Sequence, residues 1–417
     1  MKTFADFITE QAVKNLHLEH IEDEVFNNGI IGARESITFL KSLRDMLSGS
    51  ANAGIDVTVK FDGAPAIFVG TDPSDGEFFV GTKGVFNKNP KLIKEPTDIA
   101  RFGYAGQLAE KLLISFIELK KLGIKNVLQG DMMYTNGDLE SIEVDGEQYI
   151  SFQPNTIVYA VPKRSAFAQK ILKSKMGIVF HTTYNGTSLE EMGAEFGADI
   201  SGLNKVDTVW FSNAEYNDKS GTVTFTKQET SVITGFLSSA GKAFRKVKSA
   251  QLKDFLEFQN SLPSGVTGIK IKTYLNSLIR QGTAISGVKN HVTNYVKYVT
   301  DYAEVKTIGK VKTEKAKEAK KEQRDEIIEN INRNKTTIQA VMELYTFVTY
   351  AKEAILEKLD SGTRLFSDTF IKTDNGYKVV NDEGYVAIDT IKGNAVKLVD
   401  RLEFSYNNFN GIKNWDK

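Results

Sequence analysis

Residues 57–86 read VTVKFDGAPAIFVGTDPSDGEFFVGTKGVF, and the fold turns on how this stretch is parsed. Val57, Thr58 and Val59 are a β-branched run ending in Lys60, Asp62, Gly63 and Pro65 carry turn chemistry, and a second apolar run follows at 67–69. The pattern predicts a tight strand-turn-strand unit. A further turn at Asp72, Pro73, Ser74, Asp75 and Gly76 leads into a third strand, 77–81, which delivers Lys83 and Gly84. Two lysines are thereby expected on adjacent antiparallel strands. A lone lysine at a strand end is ordinarily a solvated edge charge, so a chemical role needs support from elsewhere in the chain.

The support lies in order. After Lys60-Phe61-Asp62-Gly63 come Thr82-Lys83-Gly84, Val127-Leu128-Gln129-Gly130-Asp131-Met132, Gly177-Ile178-Val179-Phe180, Glu383-Gly384-Tyr385-Val386 and Val396-Lys397-Leu398-Val399. This series resembles motifs I, Ia, III, IIIa, IV and V of the covalent nucleotidyltransferase superfamily of polynucleotide ligases and capping enzymes. Within it, the pairing of K-x-D-G with T-K-G, and E-G-Y-V followed by V-K, is most similar to the bacteriophage ATP-dependent RNA ligases. The resemblance covers about the first 190 residues and the last 45. It implies an α+β fold, an antiparallel-sheet nucleotidyltransferase (ATP-grasp-like ligase) core, interrupted by a large α-helical insertion.

Composition agrees with a globular protein of one large or two ordinary domains. No apolar run approaches the roughly 20 residues of a bilayer span, and MKTFADFITEQAVKNLHLEH lacks the apolar stretch of a signal peptide. The absence of cysteine excludes disulfides and thiolate zinc sites and fits a cytoplasmic protein. The 53 Lys/Arg balance 53 Asp/Glu, yet the charge is segregated: residues 241–340 hold 20 basic and 10 acidic side chains, a net +10.

Residues 1–50 read as helices, with Arg34 and Arg44 either phosphate ligands or members of a solvated face. His17 and His20, in HLEHIEDE, read as part of a surface helix because no third nitrogen or sulfur ligand lies near. An amphipathic helix is expected between 100 and 122, strands at 125–129, 156–161 and 177–181, and a helix around Ala168, Ile171 and Leu172. From 228 to 360 the periodicity is helical. The tract KVKTEKAKEAKKEQRDEIIEN is an exposed salt-bridged helix, a linker, or a grip on nucleic acid, and Tyr274, Tyr295, Tyr298 and Tyr302 pack internally or stack on bases. Strand character returns in 376–380, 383–389 and 395–399 as an antiparallel set that pairs with 57–81. The expected divisions are a first core part at 1–215, a basic helical insertion at 216–364 and a second core part at 365–417.

Residue chemistry sets the demands on a lysine nucleophile. Its amine attacks phosphorus only when neutral, while its reference pKa of about 10.4 keeps it protonated. Cations and desolvation lower it, and Lys83, Lys397 and a divalent metal are the available cations. The same charges stabilise an in-line transition state. Asp131 and Glu383 are hard oxygen ligands suited to magnesium or manganese.

The resemblance supplies the reaction. It implies that Lys60 attacks the α-phosphate of ATP and holds AMP as a phosphoramidate, that AMP passes to a 5′-phosphate end, and that a 3′-hydroxyl seals the strand. Lys60, Lys83 and Lys397 are then catalytic, Asp62 and Gly63 complete motif I of the nucleotide site, Asp131 and Glu383 serve ribose or metal, and Phe180 stacks on the base or is a buried strand residue. Nucleic acid, RNA in preference to DNA, is the implied partner, held by 241–340.

The chain departs from the family pattern at four points. Asp131 stands where glutamate is usual, Val399 replaces a second motif V lysine (with Lys392 or Arg401 as substitutes), and Ala64-Pro65-Ala66 replaces the usual arginine. The 18 residues after Val399 are too few for the OB-fold of DNA ligases and capping enzymes. The expected function is an ATP-dependent RNA ligase; the alternatives are a nucleic-acid-binding or assembly protein that keeps the fold without ligation, and nucleotidyl transfer to another acceptor.

Overall fold

The computed structural model describes residues 18–50, 55–215, 224–361, 367–373, 376–381, 383–389 and 394–410. In chain order the strands are β1 (Ile55–Lys60), β2 (Ala66–Thr71), β3 (Phe78–Gly81), β4 (Val127–Thr135), β5 (Glu140–Val144), β6 (Glu147–Phe152), β7 (Val158–Pro162), β8 (Met176–Asn185), β9 (Gly193–Phe196), β10 (Val209–Asn213), β11 (Asp368–Thr373), β12 (Gly376–Val379), β13 (Gly384–Asp389) and β14 (Asn394–Leu398). They build three sheets, ordered β1-β13-β14, β10-β8-β4-β2-β3 with β9 beside β8, and β12-β11-β7-β6-β5. Pairing is antiparallel except between β10 and β8. The fold is α+β, with one sheet curled as a half-barrel and about eleven helices.

The expected hairpin of β1 and β2 does not form. β1 pairs with β13 in one sheet, and β2 pairs with β3 and β4 in another. Asp62 explains the crossing. Its buried carboxylate accepts from Asn155 Nδ2 (2.6 Å), Thr156 N (2.6 Å) and Ile157 N (2.9 Å), so the residues after Lys60 are tied to the loop entering β7 and not folded back on β1. A cis Ala64-Pro65 bond follows, and Ala64 N donates to Met132 O (2.9 Å), starting the β2–β4 ladder. Lys60 therefore ends a strand of one sheet, while Lys83 follows the edge strand β3 of another. On its other edge, Val59 N donates to Ala214 O (2.7 Å), just beyond β10.

The carboxy-terminal strands split in a way local pattern does not reveal. β13 and β14 pair with each other and join β1, as expected, but β12 pairs with β11 in the third sheet. Helices Lys227–Lys246, Ser249–Ser261, Ile271–Arg280, His291–Lys306, Glu314–Arg333 and Lys335–Asp360 fill the helical stretch. They pack against the rest of the chain. Leu40 and Leu43 of helix Gly29–Leu47, Ile233 and Leu237 of Lys227–Lys246, Tyr345 and Ile355 of Lys335–Asp360, and Tyr385 and Leu398 share one buried core. Both expected domain boundaries, 215/216 and 364/365, fall against or within residues outside the described set.

Tyr274 and Tyr295 are buried, and Tyr298 and Tyr302 half-buried, in one aromatic cluster. That places the tyrosines in internal packing. Glu314–Arg333 is the exposed, salt-bridged helix, with pairs such as Lys317–Glu314 and Lys321–Glu318 along it. No helix among the described residues is long and apolar enough to cross a membrane.

Candidate active site

Strand register brings two lysines to one face of the first sheet. Side chains alternate along a strand, so Thr58 and Lys60 project together. Val386 lies opposite Thr58, and Lys397 opposite Val386. All four line a cavity of about 530 Å³. The facing wall is the second sheet: Ala66 and Phe68 of β2, Gln129 and Asp131 of β4, Val179, His181, Thr182 and Tyr184 of β8, and Phe196 of β9 contribute to it. Lys83, exposed at the start of a 3-10 turn after β3, completes the ring of amines. Lys60, Lys83, Asp131 and Lys397 thus meet around one space.

Glu383 stands behind Lys60. Its Oε1 accepts a short, charge-assisted hydrogen bond from the Lys60 amine, while Oε2 is buried with no hydrogen-bond partner among the described residues. Burial pushes the Glu383 carboxyl up to about 7, against the pull of Lys60. Burial alone would lower the Lys60 amine, but Glu383, then Asp131 and Asp62, outweigh it and raise it. This corrects the expectation that neighbouring cations depress Lys60. The lowered amine is Lys397, through burial and then the repulsion of Lys60.

Gly63 is required by a close approach. A Cβ built there would lie 2.5 Å from the Asp131 Cβ, so motif I packs directly on the strand that bears the carboxylate. Asp62 and Gly63 shape the turn and do not line the cavity. Burial raises the Asp62 carboxyl, and the backbone amides of Ile157 and Thr156 offset part of that rise.

Phe180 is not a stacking residue of this cavity. Its side chain is 0% exposed among Ile67, Val69, Leu112 and Phe116, on the opposite face of the sheet. Around it β8 bulges: Gln129 pairs with Thr182, yet Gly130 pairs with Phe180, leaving His181 unopposed. A bulge re-aims the extra side chain, and both His181 and Thr182 reach the cavity. His181 Nε2 lies 3.7 Å from Asp131 Oδ2, and Nδ1 shares a 2.8 Å hydrogen bond with Thr182 Oγ1. His181, Phe196, Phe68 and Tyr184, whose hydroxyl donates to Gln129 Oε1 (2.8 Å), are lining residues that motif reading misses. The one available signal is that a core Phe180 turns Val179 and His181 the other way.

Other candidates lie elsewhere. Arg34 is exposed, and Arg44 binds Asp45 and Thr234. Arg401 does not replace the second motif V lysine, since its guanidinium donates to Asp23, Tyr345 and Asn276. Lys392 and His17 lie outside the described residues. His20 is not on a surface helix: it bridges to Lys397, and the acids after it turn inward, Glu22 to Lys352 (2.6 Å) and Asp23 to Arg401 (3.1 Å). Among the described residues no group of three or more His, Asp or Glu forms a metal cluster.

No curated protein and no solved structure matches the chain. A family model described as a family of unknown function (DUF6267) matches residues 15–413, and the chain belongs to that family.

Proposed function

We propose that the chain is an ATP-dependent polynucleotide ligase, acting on RNA in preference to DNA, with a nucleotidyltransferase core that carries AMP on Lys60. One observation carries the reading. Lys60, Lys83, Asp131 and Lys397, drawn from four distant stretches, line a single cavity, with Glu383 bonded to Lys60. That is the set the motif order requires around one triphosphate, and a volume of about 530 Å³ is within the ordinary range of small-molecule sites.

The residues have distinct tasks. Neutral Lys60 Nζ attacks the α-phosphorus; the bond to pyrophosphate breaks, a P–N bond forms, and the amine loses its proton. Lys83 and Lys397 hold phosphate oxygens and offset charge in the transition state. A 5′-phosphate oxygen then displaces Lys60, which regains a proton, and a 3′-hydroxyl finally expels AMP. Glu383 Oε2, without a hydrogen-bond partner among the described residues, fits a hard cation, and magnesium there would neutralise phosphate charge.

The test is incubation with magnesium and α-labelled ATP or GTP. A denaturation-resistant adduct that Lys60→Ala abolishes, followed by joining of 5′-phosphorylated RNA, is expected. Label without joining of RNA or DNA moves the reading to another acceptor, and no label with either nucleotide overturns it.

A further inference from the structure

We infer that the surface formed by the loops 82–91 and 101–106 holds single-stranded nucleic acid at the mouth of the cavity; it rests on the ligase reading above for the chemistry the strand meets there. The first loop is braced at its base. Val80 and Ile93 exchange backbone hydrogen bonds (3.0 and 2.9 Å), and Val85 and Phe86 pack with Phe68 and Tyr184. That buries the apolar side of the loop and leaves Lys83 and Lys88 exposed, Lys83 on the cavity itself. The second loop lies against the first. Tyr104 Oη is 3.0 Å from Thr82 Oγ1, and the Lys91 amine donates to Phe102 O (3.1 Å) while standing 5.7 Å from the centre of the Tyr104 ring. Lys83, Lys88, Lys91 and Arg101 thus share one rim.

Charge and shape both suit an unpaired strand. Residues 82–106 carry five Lys/Arg and two Asp/Glu. One of the acids, Asp98, is buried and bound to Arg101 (2.6 Å) and to the backbone amides of Lys94 and Glu95. Exposed cations of this kind bind phosphates and release counterions. Arg101 adds a plane. Its guanidinium lies over the Phe102 ring, 4.9 Å from the centre, and its side chain is 65% exposed, so the ring supports it from one side and solvent reaches the other. Unpaired bases stack on such planes, whereas a duplex keeps its base faces covered. In the stretch 241–340, by contrast, the tyrosines pack internally, and Lys317 and Lys321 of the exposed helix are held in ion pairs.

The experiment measures binding of the full chain, without ATP, to a 5′-phosphorylated RNA single strand of about 12 nucleotides and to a blunt RNA duplex of the same length, by fluorescence anisotropy between about 50 and 200 mM salt. The wild type is expected to bind the single strand about tenfold more tightly than the duplex, or better. Arg101→Lys keeps the charge and loses the plane, so single-strand affinity should fall about fivefold or more with an unchanged salt slope. Lys88→Ala should instead flatten the slope of log K against log salt by about 0.7. A duplex bound as tightly as the single strand, or both variants binding the single strand like the wild type, overturns the inference. Adduct formation by the wild type is scored separately with labelled ATP. An adduct alongside either of those results leaves the ligase reading standing, and the expected binding pattern without an adduct overturns that reading while the strand-binding surface stands.

Discussion

Lys60 and Glu383 are separated by 323 positions and joined by a single hydrogen bond in the wall of the cavity. The pair keeps the amine protonated at rest. Because Glu383 supports the charged form of Lys60, Glu383→Gln should lower the Lys60 pKa and increase the neutral fraction at any pH below it. The measurement is the rate at which Lys60 is acylated by an amine-reactive reagent without nucleotide, read by peptide mass spectrometry between pH 7 and 10. Faster labelling in Glu383→Gln is expected, with the rise displaced to lower pH. Adduct formation should nevertheless fall in the same variant, since the carboxylate that fits a cation is gone.

Asp62 sits one turn from this pair and has a different function. Its carboxylate collects three donors from the loop before β7 and thereby aims the end of β1 into the cavity. Asp62→Asn substitutes an amide for one accepting oxygen and should cost about 1–3 kcal/mol, the penalty for leaving buried donors unsatisfied. Denaturant unfolding reads that loss. Adduct formation measured well below the unfolding midpoint should also drop, because the turn that places Lys60 loosens; a variant with lowered stability and unchanged adduct rate would separate Asp62 from the site.

Much of the site is legible in the sequence because each motif ties a chemical residue to a strand that walls one cavity: Lys60 ends β1, Lys83 follows β3, Glu383 precedes β13, and Asp131 and Lys397 lie within β4 and β14. Lys60, Lys83, Asp131, Glu383 and Lys397 meet for that reason. Phe180 misleads because residues 176–180 are continuously buried, so no alternation marks which face carries which side chain, and the bulge at His181 leaves no local trace. The β1–β2 crossing is hidden similarly: Asp62, Gly63 and Pro65 are turn formers, and only the distant loop at 155–157 shows that the turn leads into another sheet. The acids of HLEHIEDE look solvated until Lys352 and Arg401, more than three hundred residues away, are seen to meet them.

The pair of Lys352 and Glu22 is buried on both sides, each side chain 1% exposed, and Lys352 Nζ also donates to Val399 O (2.8 Å) beside the strand of Lys397. Removing one partner strands a buried charge. Lys352→Met should therefore destabilise the protein by about 3–5 kcal/mol, whereas Lys352→Met with Glu22→Leu should recover most of that loss. Thermal or denaturant unfolding of the single and double variants tests the coupling. Additive losses would show that the two side chains stabilise the fold independently.

His20 makes stability depend on acidity. Burial, then the cations of Arg401, Lys352, Lys397 and Lys60, holds its imidazole well below 6.5. The unfolded chain thus takes up a proton near pH 6.5 that the folded chain refuses, so the His20 contribution is complete above that value and is lost as the pH falls below it. Glu383 works in the other direction. Its carboxyl, raised from 4.5 to about 7, binds a proton in the folded protein that the unfolded chain has released, so its contribution declines as the pH rises across that range. The two oppose each other between 4.5 and 6.5, and wild-type stability there should be nearly flat as far as these groups determine it. Glutamine at position 20 removes one slope: His20→Gln should lose stability with rising pH relative to wild type, by up to about 1.4 kcal/mol per pH unit. Glu383→Gln should do the reverse and lose stability as the pH falls. Unfolding free energies at half-unit steps from pH 4.5 to 7.5 check both signs, and parallel curves for wild type and His20→Gln would mean that the imidazole is protonated alike in the folded and unfolded chains.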